Sequence, residues 1–409
     1  MRRVLYVAHR VPYPPDKGER VRAFHEITAL AKHFRVTVAT LAHDRGDADS
    51  ASHLFRWCEK VITAPAGGRW GLFKGALSLA HGRSVTEGFF HNSTFRRLLL
   101  EEVAREPFDL VMGYSSGVLS LALEVPAPRH VIDLVDVDSA KWASYADGSA
   151  WPKSWLYRRE ARGVRALELK ALERCDAVLL VTDAEVRALG VQSDKILAVS
   201  NGVDSEYFKP RAHPVGTSPS LVFTGTMDYR PNVDGVCGFV RDVWPGLKSK
   251  VPELTFGIVG RNPTSAVRRL EKEAGIRVTG AVPDVRPFLA EATAVVAPLK
   301  IARGIQNKVL EAMAMGRAVA ASGPALEGLD VTVGKDVLQA DTPEQWHERI
   351  VELLSNADLR IRIEQSAREC VEAKYDWDAR MEPLVSLCTR LTEAETNRET
   401  VTTHASQRA

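Results

Sequence analysis

Short apolar runs without polar alternation recur along the chain, and helix-length amphipathic segments separate many of them. Such a run is typical of a β-strand covered on both faces, and its alternation with helices favours parallel sheets built from βαβ units. The runs form two series of about six. The first comprises residues 4–8, 36–41, 61–63, 110–112, 131–135, 177–181 and 196–199, and the second comprises residues 221–224, 254–259, 277–279, 294–297, 318–322 and 337–340.

Two such series predict two doubly wound parallel-sheet (Rossmann-like) α/β domains. A single barrel of eight βα units needs only about 250 residues and would leave much of the 409-residue chain unexplained. A turn signal at Asn201-Gly202 and a Pro- and Gly-rich stretch after it place a linker at 201–219. We therefore expect domains at 1–200 and 220–378. A helix at 379–395 is expected to pack back on the first domain, and the polar tail 396–409 to be disordered.

Composition excludes several classes of protein. The 54 basic and 52 acidic residues give a net charge of +2, which offers no case for a nucleic-acid partner. Five scattered cysteines fit no metal-binding template and are typical of free thiols in a reducing compartment. The first apolar run is too short for a secretion signal, and no run reaches the roughly 18 to 20 residues that span a bilayer. We expect a cytoplasmic protein.

The segment 297–316 carries the strongest functional signal. A buried strand ends at Pro298, a loop containing Gly304 follows, and a helix rich in Leu, Ala and Met ends at Gly316. A helix start beyond a parallel strand offers unpaired N–H groups to phosphate oxygens. Lys308 adds a positive charge there, and Glu311 lies on the same helix face, where it could accept hydrogen bonds from sugar hydroxyls. Spacing alone is also compatible with a Lys–Glu pair on a solvated helix.

This segment resembles the donor-site motif of family-four retaining glycosyltransferases of the GT-B type. Other stretches resemble the family in the same order along residues 4–380. They are Pro12–Gly18 after the first strand, the Asn201-Gly202-Val203-Asp204 entry to the second domain, Val259-Gly260-Arg261-Asn262, and Val278–Asp284. The resemblance is closest to sugar transferases associated with PEP-CTERM/exosortase exopolysaccharide loci, through Asp133–Ser139 and Arg303–Lys308.

The resemblance implies a metal-independent hexosyltransferase with two domains facing a cleft, the first for the acceptor and the second for the donor. The donor is a UDP- or GDP-linked sugar acting as co-substrate, and the acceptor is a glycan or a lipid-linked glycan. Glu311 would contact the donor ribose, and the backbone at Val282 the base. The residues predicted to bind the donor are Gly18, Arg261, Val282, Arg303, Gly304, Ile305, Gln306, Asn307, Lys308 and Glu311; those predicted to take part in the transfer step are Lys308, Glu311, Arg230 and Asp136.

Two departures from the family pattern matter. Arg303 stands where the first acid of the E-x7-E motif would fall, so that carboxylate is absent. On the first strand of the donor domain, Thr226 and Pro231 stand where the family carries an Arg and a Lys. Arg230, Arg261, Arg303 and Lys308 could each replace the missing cations.

Two features of the first half are open to a functional and to a structural interpretation. Asp136 and Asp138 follow a predicted strand and could orient an acceptor hydroxyl, or could serve as turn and helix-cap residues. A metal site made of this pair is a weaker hypothesis. The basic stretch 153–174, with interspersed Trp and Leu, could lie against the inner membrane surface or could be an ordinary helix with one buried face.

The sequence therefore predicts a retaining glycosyltransferase. A non-catalytic sugar-nucleotide sensor or assembly partner on the same scaffold is the alternative, motivated by Arg303. A nicotinamide-dependent oxidoreductase is disfavoured, because the first strand leads into Val11-Pro12-Tyr13 and not into a G-x-G-x-x-G turn.

Overall fold

The computed structural model describes residues 1–15, 18–66, 75, 78, 83–210, 218–302 and 304–406, with side chains up to residue 393. The chain divides into two compact units. The first is Met1–Ser200 together with the chain from Arg380 onward, and the second is Asn201–Ala379.

The first unit is built around a parallel sheet of seven strands in the order β3-β2-β1-β4-β5-β6-β7. All six residues of β1 are buried, as expected of a strand covered by helices on both faces. The strands are β1 Arg3–Ala8, β2 Arg35–Ala42, β3 Lys60–Pro65, β4 Leu110–Tyr114, β5 Arg129–Val135, β6 Ala177–Leu180 and β7 Ile196–Ala198. The helices are α1 Gly18–Ala31, α2 Arg45–Ala51, α3 Val85–Phe90, α4 Ser93–Arg105, α5 Leu119–Glu124, α6 Asp138–Asp147, α7 Lys153–Arg174 and α8 Asp183–Leu189.

The second unit is a parallel sheet of six strands in the order β10-β9-β8-β11-β12-β13. Its strands are β8 Ser220–Thr224, β9 Thr255–Val259, β10 Ile276–Gly280, β11 Ala294–Ala297, β12 Val319–Ala321 and β13 Leu338–Gln339. Its helices are α9 Arg230–Asp242, α10 Trp244–Lys250, α11 Ser265–Arg269, α12 Arg286–Glu291, α13 Asn307–Ala314, α14 Gly323–Leu326, α15 Pro343–Ser355 and α16 Ala357–Lys374.

The predicted fold class is confirmed: each unit is a doubly wound parallel sheet. In the second unit the chain runs from β8 outward to β9 and β10, then returns to the other side of β8 at β11. This reversal opens a crevice beyond the carboxyl ends of β8 and β11, and such a point is where open α/β sheets bind their ligands.

The last described element is a long helix. This helix, α17, spans Trp377–Ser406. Extending an existing helix by one residue forms a further hydrogen bond without a new nucleation step, and Ala394 and Glu395 have favourable helix propensities. Within the described residues, no helix combines the length and apolar character needed to cross a bilayer.

Candidate functional site

The carboxyl ends of β8 and β9 lead into two turns that lie in direct contact. The Gly225 N–H donates to the Val259 carbonyl at 3.0 Å, and the Met227 N–H donates to the Arg261 carbonyl at 2.8 Å. A Cβ added at Gly260 would lie 1.6 Å from the Gly225 carbonyl oxygen. Only glycine permits this approach, so the two turns form one continuous wall at the sheet edge.

Lys308, in the first turn of α13, places its amine against that wall. Its Nζ donates to Asn232 Oδ1 at 2.5 Å and lies 4.3 Å from the centroid of the Phe223 ring. A Cβ added at Gly225 would be 3.2 Å from this Nζ. The predicted helix residue and the turn after β8 are therefore brought together, although 83 positions separate Gly225 from Lys308 in the numbering (308 − 225 = 83).

Asn232 is a functional candidate that the sequence analysis missed. Its side chain is 5% exposed, and its Nδ2 donates to the Thr226 carbonyl at 2.9 Å while its Oδ1 accepts from Lys308. A buried amide in the first turn of α9, next to the helix-starting Pro231, was the available signal. The sequence does not show that its partner is a lysine 76 positions away.

Glu311 lies one turn further along α13, on the same side as Lys308. Burial lowers the pKa of the Lys308 amine to about 7, and the Glu311 carboxylate partly offsets that effect. Burial likewise raises the pKa of Glu311 to about 7, against the opposing influence of Lys308. Because both side chains are partly buried, the alternative of a solvated Lys–Glu pair does not describe them.

The loop before α13 supplies backbone groups. Gly304 has a φ of +61°, a conformation that favours glycine, and Gln306 begins the helix without a side-chain cap. The first N–H groups of α13 therefore have no capping side chain among the described residues. Asn307 Oδ1 accepts from Asn201 Nδ2 at 3.3 Å, which ties the helix start to the beginning of the second unit. Ile305 packs against the core of this unit.

The remaining predicted donor residues lie on other segments of the chain. Arg230 forms an exposed ion pair with Asp234, with 3.4 Å between Nε and Oδ2. Arg261 follows β9 and is partly exposed, and Val282 packs at the edge of the core after β10. Gly18 begins α1 in the first unit. Arg303 lies outside the described residues.

In the first unit, Asp136 follows β5 directly. Val135 has a φ of +67°, unusual for a β-branched residue. Burial raises the pKa of Asp136 to about 7, and its Oδ1 is buried with no hydrogen-bond partner among the described residues. The cap position of α6 is Val137, whose N–H donates to Glu185 Oε2 at 2.7 Å, so the side chain of Asp136 is not a helix cap.

A separate charged cluster lies wholly inside the first unit. Arg22 Nε donates to Asp133 Oδ2 at 2.6 Å and lies 3.0 Å from Glu26 Oε1, and all three side chains are fully buried. The Tyr6 hydroxyl donates to Glu26 Oε2 at 2.7 Å. Burial and the neighbouring Asp133 raise the pKa of Glu26 well above its usual range. These surroundings therefore favour the protonated form of Glu26.

Residues 218–356 match the family model described as glycosyl transferases group 1. The matched residues all lie within the second unit. The match spans β8 to α15, and Lys308, Glu311 and Asn232 all lie inside it. The comparison with curated protein sequences gives no match.

Solved structures resemble the chain over both units. Sucrose-phosphate synthase from Thermosynechococcus elongatus is 17% identical, with a TM-score of 0.74 over 96% of this chain and 100% of its own. Anabaena HepE in complex with UDP-glucose is 14% identical, with a TM-score of 0.66 over 95% and 100%. S. aureus TarM in complex with UDP and α-GlcNAc-glycerol is 10% identical, with a TM-score of 0.66 over 95% and 99%. At these identities the likeness establishes the fold, which is GT-B.

Among the described residues, no group of three or more His, Cys, Asp or Glu side chains is arranged to hold a metal ion. Asp138 pairs with Lys141 and accepts from the Ser116 hydroxyl at 3.4 Å. The carboxylate pair at positions 136 and 138 therefore gains no third ligand in the part of the chain that is described.

Proposed function

We propose that the protein is a retaining glycosyltransferase that transfers a sugar from a UDP- or GDP-linked donor to a glycan or lipid-linked acceptor. The observation that carries this proposal is the Lys308 amine at the turn after β8, with Glu311 beside it on the same face of α13. The second unit would hold the donor, and the first would hold the acceptor.

The diphosphate of the donor fits the wall formed by the turns after β8 and β9. The Lys308 ammonium would donate to its oxygens, and the uncapped N–H groups at the start of α13 would add further donors. Charge develops on the leaving diphosphate during transfer, so donors that are already oriented there lower the barrier. Gly304, with its positive φ, allows a ligand to approach the backbone closely.

Glu311 is suited to the ribose. A carboxylate can accept hydrogen bonds from two neighbouring hydroxyls, and ionisation is favoured once those hydroxyls donate to it. Val282, Ile305, Gln306 and Asn307 complete the proposed donor contacts, with Gly18, Arg261 and Arg230 as further candidates. Arg303 is a candidate on sequence grounds alone.

Transfer with retention does not require a dedicated protein base if the leaving phosphate assists deprotonation of the acceptor. In this proposal Asp136 orients the acceptor hydroxyl. Its unpartnered Oδ1 and its pKa of about 7 suit a group that accepts a hydrogen bond from a substrate. A role in exopolysaccharide synthesis, as in the PEP-CTERM/exosortase-associated sugar transferases, rests on the sequence motifs.

The amino end of α7 supports peripheral contact with the inner membrane surface, where a lipid-linked acceptor would lie. Trp151 is 81% exposed and Trp155 is 56% exposed, and Lys153, Arg158 and Arg162 are exposed around them. Aromatic side chains beside basic ones suit the interface of an anionic bilayer. The five cysteines are all free thiols, which fits a cytoplasmic location.

The proposal is tested with purified protein in a thermal-shift panel of nucleoside diphosphates and nucleotide sugars. A selective rise in the melting temperature identifies the donor, because a ligand that binds the folded state stabilises it. Transfer to an acceptor glycan is then assayed for the wild type, Lys308→Ala and the exposed control Lys272→Ala. We expect loss of transfer in Lys308→Ala alone; unchanged turnover would refute the site.

A non-catalytic sugar-nucleotide sensor is the second candidate, favoured by Arg303 at the position of the missing acid. This candidate predicts selective stabilisation by a nucleotide sugar without hydrolysis or transfer.

Vesicle sedimentation with anionic and neutral lipids tests the proposed membrane contact of α7 separately. It compares the double variant Trp151→Ser with Trp155→Ser against the wild type. Equal sedimentation of both proteins would exclude that contact.

A further inference from the structure

The turn after β8 has no cation of its own. Its residues are Gly225, Thr226, Met227, Asp228 and Tyr229, and the one charged side chain among them is acidic. A diphosphate bound at this turn therefore needs positive charge from another element. The structure brings one there, since the Lys308 amine from α13 would lie 3.2 Å from a Cβ at Gly225.

We propose that Asn232 is a positioning residue that holds the Lys308 amine at this turn for a donor diphosphate. This inference rests on the proposed function and names the contact that supplies its charge. Arg230 and Arg261 have the same formal charge, but Arg230 is paired with Asp234 at the surface. Lys308 forms no ion pair with a carboxylate in the described part of the chain, and its hydrogen-bond acceptor is a neutral amide.

The orientation of the Asn232 amide follows from its two partners. Its Nδ2 lies 2.9 Å from the Thr226 carbonyl, which can only accept, and its oxygen lies 2.5 Å from the Lys308 ammonium, which can only donate. The amide thus links the turn to the amine and fixes the distance between them. Because the side chain is 5% exposed, it has little room to choose another rotamer.

Gly225 keeps the amine accessible. A Cβ at this position would lie 2.7 Å from Asn232 Nδ2 and 3.2 Å from Lys308 Nζ, in the space where an anion over the turn would meet the amine. The Phe223 ring, whose centroid lies 4.3 Å from the amine, provides an apolar face with a negative quadrupole. Thr224 Oγ1, at the end of β8, is buried and has no partner among the described residues.

The absence of charge on the Asn232 amide matters for diphosphate binding. An amide oxygen stabilises the ammonium without cancelling its charge, whereas a carboxylate would compete with the diphosphate. Glu311, on the same helix, is the charged group that acts on the amine; β8 and α9 present Phe223 and Asn232, which do not titrate. Since burial lowers the pKa of Lys308 to about 7, the amine is largely neutral at pH 8, and a bound diphosphate would draw a proton onto it.

The test uses Asn232→Leu and Asn232→Asp in the full-length protein, with Lys308→Met for comparison and Lys272→Met as a matched lysine control. Isothermal titration with UDP and with GDP at pH 8, in buffers of different ionisation enthalpy, gives both affinity and proton uptake. The uptake in Lys308→Met measures the contribution of other groups, including Glu311 and the terminal phosphate.

We expect Asn232→Leu to weaken binding by about tenfold or more, and not to add to the effect of Lys308→Met when the two are combined. Asn232→Asp should abolish the Lys308-dependent proton uptake, because the carboxylate keeps the amine protonated before the ligand arrives. Melting temperatures report folding, and a purely structural asparagine would lower them without changing proton uptake.

The outcomes distinguish the positioning role of Asn232 from the proposed function. If Lys308→Met weakens binding but both Asn232 variants bind and take up protons as the wild type does, the positioning role is wrong and the proposed function stands. If Lys308→Met also binds normally, the donor site itself is misplaced. Failure of the wild type to bind any nucleoside diphosphate overturns the proposed function and this inference with it.

Discussion

Each unit contains a buried basic side chain, and the two side chains differ in the groups that accept their hydrogen bonds. In the first unit, Arg22 is fully buried with Asp133 and Glu26, and it also donates to the Val199 carbonyl at 2.7 Å. In the second unit, Lys308 is partly buried and its acceptor is the uncharged amide of Asn232. The charge of Arg22 is neutralised by a carboxylate inside the protein, whereas the Lys308 amine hydrogen-bonds an uncharged group and has a pKa lowered to about 7, so it can take up a proton when an anion binds.

This difference separates a structural charge from one available to a ligand. A buried ion pair is expensive to form, but once formed it is costly to break, because the remaining partner is left uncompensated. A desolvated amine that pairs with no carboxylate is stabilised in its protonated form when an anion binds beside it. We therefore expect substitutions in the Arg22 cluster to affect folding, and substitutions at Lys308 to affect donor binding and transfer.

The largest effect is expected for Asp133→Ala. It removes the carboxylate that pairs with the buried Arg22 guanidinium, and we expect a loss of about 3–5 kcal/mol in the free energy of unfolding. Urea denaturation followed by circular dichroism measures it. A loss below about 1 kcal/mol would show that water or rearrangement compensates the arginine, and the contrast between the units would fail.

Lys308→Ala should lower transfer by about 10²- to 10³-fold, the range seen when one oriented donor to a developing negative charge is removed. The melting temperature should stay level or rise, since burial disfavours the charged amine. Steady-state transfer and thermal unfolding of the same preparation give both values. A decrease in both the transfer rate and the melting temperature would indicate that Lys308 has a structural role, as Arg22 does.

The substitution Glu26→Gln tests whether Glu26 is protonated beside Arg22 and Asp133. The folded pKa of Glu26 is raised, so its contribution to stability is complete below the unfolded value and declines as pH rises toward the folded pKa. Glutamine mimics the protonated form and does not titrate. The free energy of unfolding of the variant should therefore rise relative to that of the wild type by about 1.4 kcal/mol per pH unit above about pH 4.5. Denaturation midpoints between pH 5 and 8 measure the gap. A constant gap would mean that Glu26 does not carry the proton.

Arg230→Ala is expected to have the smallest effect on folding. Its ion pair with Asp234 is exposed, and such pairs contribute about 0.5 kcal/mol or less. Thermal unfolding should therefore be unchanged within error. A decline in transfer at unchanged stability would add Arg230 to the donor site, whereas a large loss of stability would contradict its classification as a surface charge.

The sequence was sufficient to predict the fold and to select two residues of the candidate site. Buried strands reveal themselves as apolar runs, and Lys308 and Glu311 share a helix face because three residues make nearly one turn. Partners across the fold were not predictable, since Asn232 meets Lys308 over 76 positions and Arg22 meets Asp133 over 111. The residue before the candidate Asp136 adopts a strained conformation that also has no local signature. Polar composition alone does not stop a helix, and α17 spans Trp377–Ser406.

The contact between Gly225 and Gly260 limits how this protein could change its substrate. With 1.6 Å between a prospective Cβ and the facing oxygen, a saturation library at position 260 should return glycine alone among active clones. If the proposed function is correct, diversification toward other donors is confined to other parts of the proposed donor site, such as the chain near Val282. Engineering for a new nucleotide or sugar should begin there and leave both turns untouched.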